Sequence, residues 1–260
     1  MKNLVFIKLG GSFITDKNKP ISIKYEALRS TVDILREVVQ DVKLIIGNGG
    51  GSFAHYVVMK YIDKNPAEFI TLCHASTRAL NKIIVDYLVM NNINATSIQT
   101  SAIISHSPSN DFKVFLEPII SLLNNNLIPV IYGDCIPSHQ GYAIVSTEKV
   151  FEILSTYLRP SRIVLLTDVD GVYTCNPRSC REAKLINRIT PKNIEEVLSI
   201  LESDKNRDAT GGMYSKIKLM FRISKTLEIP VIILSGFNIT NVIRAIKGDL
   251  EITGTIITAK

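Results

Sequence analysis

The sequence predicts a three-layer α/β/α sandwich built on a mainly parallel, open sheet. Five short runs, residues 4–9, 42–46, 128–132, 162–167 and 231–234, are nearly continuous in Val, Ile and Leu. That pattern marks strands buried on both faces, unlike the alternation of a half-exposed sheet. Stretches with helical spacing separate them, as the crossovers between parallel strands require. Glycines crowd the ends of the first two runs, where a strand turns sharply into the next element.

Taken in order, the first run closes on Lys8-Leu9-Gly10-Gly11-Ser12. A helix follows, with Leu28, Val32, Leu35 and Val39 on one face and Ser22 as its expected cap. The second run leads into Gly47-Asn48-Gly49-Gly50-Gly51-Ser52-Phe53-Ala54-His55. A helix is expected over 71–90. Turn-forming residues at 105–111, before a strand candidate at 112–116, read as a hairpin or an insertion. The third run ends at Gly133-Asp134, turn residues occupy 137–141, and 148–158 has helical spacing. After the fourth run come Thr167 to Thr174, a turn-rich segment at 176–183 and a helix at 192–201. A candidate mobile loop at 203–210 precedes Gly211-Gly212, and helices at 213–227 and 240–246 flank the fifth run.

A chain of 260 residues accommodates one large α/β domain or two closely joined lobes, and the expected division falls between residues 1–147 and 148–260. Hydrophobic residues at 46% and charged residues at 21% exclude disorder. No apolar run approaches the roughly 20 residues of a membrane span, and the N-terminus lacks a signal pattern, so the expected location is the cytoplasm. A net charge of +6 fits either nucleic acid or a basic pocket for a small polyanion. The Lys and Arg residues are scattered, which favours the pocket and no nucleic-acid partner. Cys73, Cys135, Cys175 and Cys180 contain no C-x-x-C pair; they read as packing thiols, with no zinc site.

The glycine clusters carry the chemistry. Glycine lets consecutive N–H groups approach an anion closely, and two such turns with Lys8 and His55 attached suit a protein that holds two anionic groups side by side. Neither cluster reads as G-x-x-x-x-G-K-[ST], and Ser52 stands where a dinucleotide fingerprint needs glycine. Thr167-Asp168-Val169-Asp170-Gly171-Val172-Tyr173-Thr174 puts acids and hydroxyls at the carboxyl end of a buried strand, where open α/β sheets bind ligands. Downstream calcium ligands are absent. Asp208 to Lys216 supplies a third glycine turn, with Lys216 early in the helix that follows.

These segments, with Gly133-Asp134, occur in the order seen in the amino acid kinase superfamily and span nearly the whole chain. Within it the chain most resembles the isopentenyl phosphate kinase family, because Thr15-Asp16-Lys17 follows the first glycine pair and Ser52-Phe53-Ala54-His55 completes the second. The fosfomycin kinases share much of this pattern. The resemblance implies the amino acid kinase fold and ATP-dependent phosphorylation of isopentenyl phosphate, with the acceptor in the N-terminal lobe and the nucleotide in the C-terminal one. It implies that Lys8, Lys17 and Lys216 neutralise the transferring group and that His55 bonds the acceptor phosphate. Gly50, Gly51 and Ser52 would bind the acceptor; Gly10, Gly11, Ser12, Thr167, Asp168, Asp170, Gly171, Tyr173, Gly211 and Gly212 would bind ATP. Asp134 and Glu148 would shape the site, although an Asp is more familiar where Glu148 stands. Mg2+ is expected on the nucleotide phosphates, with no protein metal cage, and the expected assembly is a homodimer. His74, His106 and His139 are assigned structural or surface roles. Another acceptor, such as fosfomycin or UMP, or a non-catalytic anion sensor of the same fold, stays open.

Overall fold

The computed structural model describes residues 3–16, 18–61, 65–109, 111–203 and 212–259. In chain order the first half holds β1 (Leu4–Leu9), α1 (Gly11–Ile14), α2 (Tyr25–Val38), β2 (Lys43–Asn48), α3 (Gly51–Tyr61), α4 (Pro66–Met90), β3 (Ala95–Ser97), α5 (Thr100–Ile103), β4 (Ile104–His106), β5 (Phe112–Val114), α6 (Glu117–Asn124), β6 (Ile128–Tyr132), β7 (Asp134–Ser138) and β8 (Gly141–Val145). The second half holds α7 (Thr147–Leu158), β9 (Arg162–Thr167), β10 (Arg188–Ile189), α8 (Ile194–Ser203), α9 (Gly212–Leu227), β11 (Val231–Ser235), α10 (Ile239–Lys247) and β12 (Thr255–Ile257).

One sheet of order β10-β12-β11-β9-β1-β2-β6-β3 forms the middle layer, parallel except where β12 pairs with β11. Its strands alternate between two apolar layers. Val5, Ile7 and Leu9 of β1, with Leu44, Ile46, Val164 and Leu166, pack under α2, α4 and α10. Phe6, Ile45, Ile163 and Leu165 face the other way, against α7, α8 and α9. Both faces are buried, which explains why the strands read as unbroken apolar runs. The sheet continues without a break through both expected lobes: β1, β2, β3 and β6 lie on one side and β9 to β12 on the other.

A second sheet, β5-β4-β7-β8, comes from segments expected to be turns or a hairpin. β4 and β5 do form an antiparallel hairpin, and β7 and β8 form another joined by His139 and Gln140. α4 begins five residues before the expected start, because Asn65 accepts from the Ala67 N–H at 2.9 Å and Pro66 occupies the first turn. Ser22 does not cap α2. The helix starts at Tyr25, and the Ser22 hydroxyl donates to the Asp16 carbonyl at 3.0 Å. The cysteine reading holds for Cys73 and Cys135, which are free and buried, but Cys175 and Cys180 are disulfide-bonded. The Asn176 carbonyl accepts from the Ser179 and Cys180 N–H groups, and that tight turn brings the two sulfurs together. The loop expected at 203–210 lies almost wholly outside the described residues. No helix among the described residues is long and apolar enough to cross a membrane.

Candidate active site

The parity of β1 decides where Lys8 points. Residues 5, 7 and 9 face one layer, so Lys8 falls on the Phe6 side, toward α7, whose Phe151 ring lies 5.0 Å from that of Phe6. Lys8 pairs across β2 with Gly47, and a Cβ there would come within 2.6 Å of the Thr147 side chain. The missing side chain lets the start of α7 descend onto the sheet. Ser146 caps that helix and Glu148 sits in its first turn, where the helix field favours an anion.

Glu148 consequently meets Lys8. The Lys8 ammonium and a Glu148 carboxylate oxygen form a salt bridge, with 8% and 9% of their side chains exposed. Burial alone would raise the Glu148 pKa, but Lys8, then Lys216, hold it down at about 2. Glu148 thus pairs with the cation at the end of β1 and lies in the field of the cation at the start of α9. Its depressed pKa contributes stability on the order of 3 kcal/mol above the unfolded pKa near 4.5. That contribution is lost as the pH falls from about 4.5 through 2. Urea unfolding of wild type and Glu148→Gln should show a gap that is widest at neutral pH and narrows across this window. A gap independent of pH would show that the pair contributes no such linkage.

The two glycine turns are built against one another. A Cβ on Gly11 would approach the Gly51 Cα to 2.7 Å, and Gly51 itself has φ of +51°. Buried Thr15 ties the turns together: its hydroxyl donates to the Gly11 carbonyl at 2.6 Å and accepts from the Ser52 N–H at 2.9 Å. Two of the expected donors have partners within the protein. The Gly10 N–H is spent on the Leu166 carbonyl at 2.9 Å, and both the Ser52 N–H and hydroxyl are engaged inside the protein, the hydroxyl by Ser22 at 3.1 Å. These groups hold the turns in place and do not offer donors to a ligand. Gly11 and Ser12 open α1, and Gly50 and Gly51 lead into α3, where N–H groups lack an intrahelical acceptor. His55 stands on α3, half-buried and without a hydrogen bond to the described residues.

Asp134 is 2% exposed and serves the framework. It accepts from the Cys135 N–H at 2.9 Å and the Ser101 N–H at 3.1 Å, with His74 Nε2 3.6 Å away. His74 also bonds the Cys135 carbonyl at 2.7 Å, in keeping with a structural role. The Gly133 N–H donates to the Thr147 hydroxyl at 3.0 Å, which anchors α7 from a third direction.

On the other side of β1, Thr167 and Asp168 stand at the carboxyl end of β9. The Thr167 hydroxyl donates to Asp168 at 3.3 Å, and Asp168 forms a salt bridge with Arg178. The Tyr173 hydroxyl donates to exposed Asp170 at 3.3 Å, and burial followed by the charge of Asp170 raises its pKa. Gly171 is packed against Thr255, where a Cβ would come within 2.6 Å of the hydroxyl. Gly212 opens α9 with φ of +50°, and Lys216 follows one turn later. Lys17, Gly211 and residues 208–210 lie outside the described residues.

Sequence reasoning missed Lys24 and Arg178, and gave Thr15 no role beyond its place in a motif. The Lys24 ammonium donates to the Ser12 carbonyl at 2.7 Å and lies 4.0 Å from Asp168, so it bridges the first glycine turn and β9. A cation at the start of a helix opposes the helix dipole, and that misfit was its visible signal. Thr15 lies four residues beyond Gly11, the spacing at which a hydroxyl bonds back to a carbonyl. Arg178 left no signal in a turn-rich segment.

Lys8, Glu148 and Lys216 thus surround a junction between two glycine turns at the carboxyl edge of the sheet. The geometry suits two polyanions brought end to end. Among the described residues no group of three His, Cys, Asp or Glu side chains is placed to hold a metal.

Comparison with known proteins shows what the chain is similar to. A model of the amino acid kinase family matches residues 3–235. The chain is 34% identical to the isopentenyl phosphate kinase of Methanocaldococcus jannaschii, with 95% of this chain and 96% of that protein covered. It is 30% identical to the isopentenyl phosphate kinase of Methanothermobacter thermautotrophicus, over 99% of this chain and 100% of that one. A solved isopentenyl phosphate kinase structure superposes with a TM-score of 0.80 at 27% identity, covering 98% of this chain and all of the other.

Proposed function

The chain belongs to the amino acid kinase family, and from that premise we propose that it transfers the γ-phosphoryl group of ATP to isopentenyl phosphate. The products are isopentenyl diphosphate and ADP, a step in isoprenoid precursor synthesis. The observation that carries this reading is the buried Lys8–Glu148 pair, with Lys216 beside it, at the junction with the glycine turn whose helix bears His55.

The chemistry follows from the charges. A phosphate monoester has its second pKa near ~6, so the attacking oxygen is already ionised at neutral pH and needs no general base. The obstacle is repulsion between two anions, which fixed cations and oriented N–H groups relieve. Lys8 and Lys216 neutralise the group in transit, and Glu148 keeps both cations aimed while the site is empty of phosphate. Lys17 is assigned the same task from the acceptor side. His55 and the amides of Gly50 and Gly51 hold the acceptor phosphate. Gly11, Ser12, Gly211, Gly212 and the segment from Thr167 to Tyr173 hold ATP, with Asp168 and Asp170 lining that side. Mg2+, carried on the nucleotide phosphates, neutralises charge that the described residues do not.

We assign acceptor binding to residues 1–147 and nucleotide binding to 148–260, with Gly11 and Ser12 of the first lobe reaching the nucleotide, and so the transfer to the place where β1 meets β9. The cytoplasm is the proposed location, since ATP is supplied there. A homodimer is the proposed assembly; its support is the exposed Tyr25 and Met90 on α2 and α4, apolar surface that a second copy would cover.

A coupled ADP-release assay against a panel of acceptors tests the function. Isopentenyl phosphate should turn over with Mg2+, and dimethylallyl phosphate should follow, because an apolar pocket separates double-bond isomers poorly. Turnover with fosfomycin or UMP and none with isopentenyl phosphate would replace the acceptor and keep the fold. Absence of ADP release with every acceptor tried would favour a non-catalytic sensor.

A further inference from the structure

The Cys175–Cys180 disulfide closes a turn that lies directly against the proposed nucleotide side of the site. The strand-like pairing at its base joins Tyr173 to Leu185, and the Thr174 N–H donates to the Lys184 carbonyl at 3.0 Å. Inside it, the Arg178 N–H donates to the Asn176 side chain at 3.0 Å. Arg178 is an exposed side chain, 64% accessible, yet its guanidinium reaches back to Asp168, whose side chain is only 11% accessible. Asp168 in turn stands two residues beyond Leu166, the carbonyl that anchors the first glycine turn.

We propose that the Cys175–Cys180 disulfide positions Arg178 on Asp168 and thereby sets the affinity for ATP. An exposed ion pair formed by a long side chain is weak, because ordering that side chain offsets most of the attraction. A covalent clamp around the turn restricts the conformations that Arg178 would otherwise explore. While Arg178 stays paired, the Asp168 carboxylate is neutralised; released, it becomes a nearly buried anion beside the triphosphate and repels it. Lys24, 4.0 Å away and committed to the Ser12 carbonyl, compensates only in part. Cys175 and Cys180 are both partly exposed, so a small dithiol can reach them. Reduction breaks the S–S bond, adds two electrons and two protons to give two thiols, and oxidises the dithiol to its own disulfide. A disulfide in a protein placed in the cytoplasm is in most cases redox-active, which fits an adjustable clamp. Arg178 acts here as a positioning residue.

The inference rests on the kinase reading, so the test uses binding as well as turnover. Peptide mapping of the unreduced, alkylated protein should show Cys175 joined to Cys180, with Cys73 and Cys135 alkylated. Calorimetry with a non-hydrolysable ATP analogue should show about fivefold weaker binding after dithiothreitol treatment, the scale of one exposed ion pair. The KM for ATP should rise by the same factor while kcat stays within about twofold. Cys175→Ser/Cys180→Ser should bind like the reduced protein with or without reductant, and Arg178→Ala should be equally weak and insensitive to reductant. Free thiols at 175 and 180 in the unreduced protein, equal analogue binding before and after reduction, or redox sensitivity that survives in Arg178→Ala would each overturn the proposal. Absence of turnover with every acceptor would overturn the kinase reading while the binding measurements still decide this one.

Discussion

Lys216→Ala is expected to lower kcat by on the order of 10² or more, the loss that follows removal of a charge contact made to a developing transition state. Lys216 stands one turn into α9, after Gly212, and its charge reaches the site strongly enough to depress the Glu148 pKa. Lys8→Ala should lose at least as much activity and should differ in kind. Lys8 is buried against Glu148, so its removal leaves a carboxylate deep in the protein with Lys216 as its remaining cation among the described residues. Breaking one partner of a buried pair costs about 3 to 5 kcal/mol of stability. Lys8→Ala should therefore unfold at markedly lower urea concentration than Lys216→Ala, which leaves the Lys8–Glu148 pair in place. Steady-state kinetics and urea titration of both variants check this. An unchanged kcat in Lys216→Ala would make that lysine a bystander, and equal stability of the two variants would refute the special burden on the Lys8–Glu148 pair.

His55→Ala should weaken the acceptor half alone. The His55 side chain lies on α3, beyond the turn in which Gly51 meets Gly11, and makes no hydrogen bond to the described residues, so its removal breaks no framework hydrogen bond among them. Loss of a charge-assisted bond to the acceptor phosphate should cut kcat/KM for isopentenyl phosphate by roughly 2 to 4 kcal/mol, about 30- to 1000-fold. Binding of an ATP analogue should stay close to wild type, because the other turn holds that anion. Calorimetry and kinetics on one preparation separate the possibilities. Equal weakening of both ligands would signal a collapsed turn, and full activity would leave His55 with a packing role only.

Much of this was legible in the chain. Apolar runs such as 4–9 and 162–167 announce strands buried on both faces, because no other environment accepts unbroken Val and Ile at that length. Gly-Gly pairs at strand ends announce close backbone approach, and a lysine beside them announces an anion. Lys8 and His55 could be singled out on those grounds, since the signal is local and each residue sits next to its own turn, whereas Glu148 came only from the family resemblance. Contacts between distant segments are another matter. That Gly11 is required by Gly51, that Gly47 clears the way for α7, or that Ser52 spends its hydroxyl on Ser22 depends on which turns the sheet order brings together. Of the small sheet only β5 and its hairpin were expected; β4, β7 and β8 were hidden, because strands of three to five residues carry too little pattern to separate them from turns. By itself, then, the sequence determined the layers and the glycine turns, and it singled out Lys8 and His55 beside them, because these follow from burial periodicity and local backbone geometry. Only the tertiary structure decided that Lys8 answers to Glu148, that Lys24 and Arg178 converge on Asp168 and that Cys175 is bound to Cys180, because pairing across the fold is settled by packing and by the cost of leaving a buried charge alone.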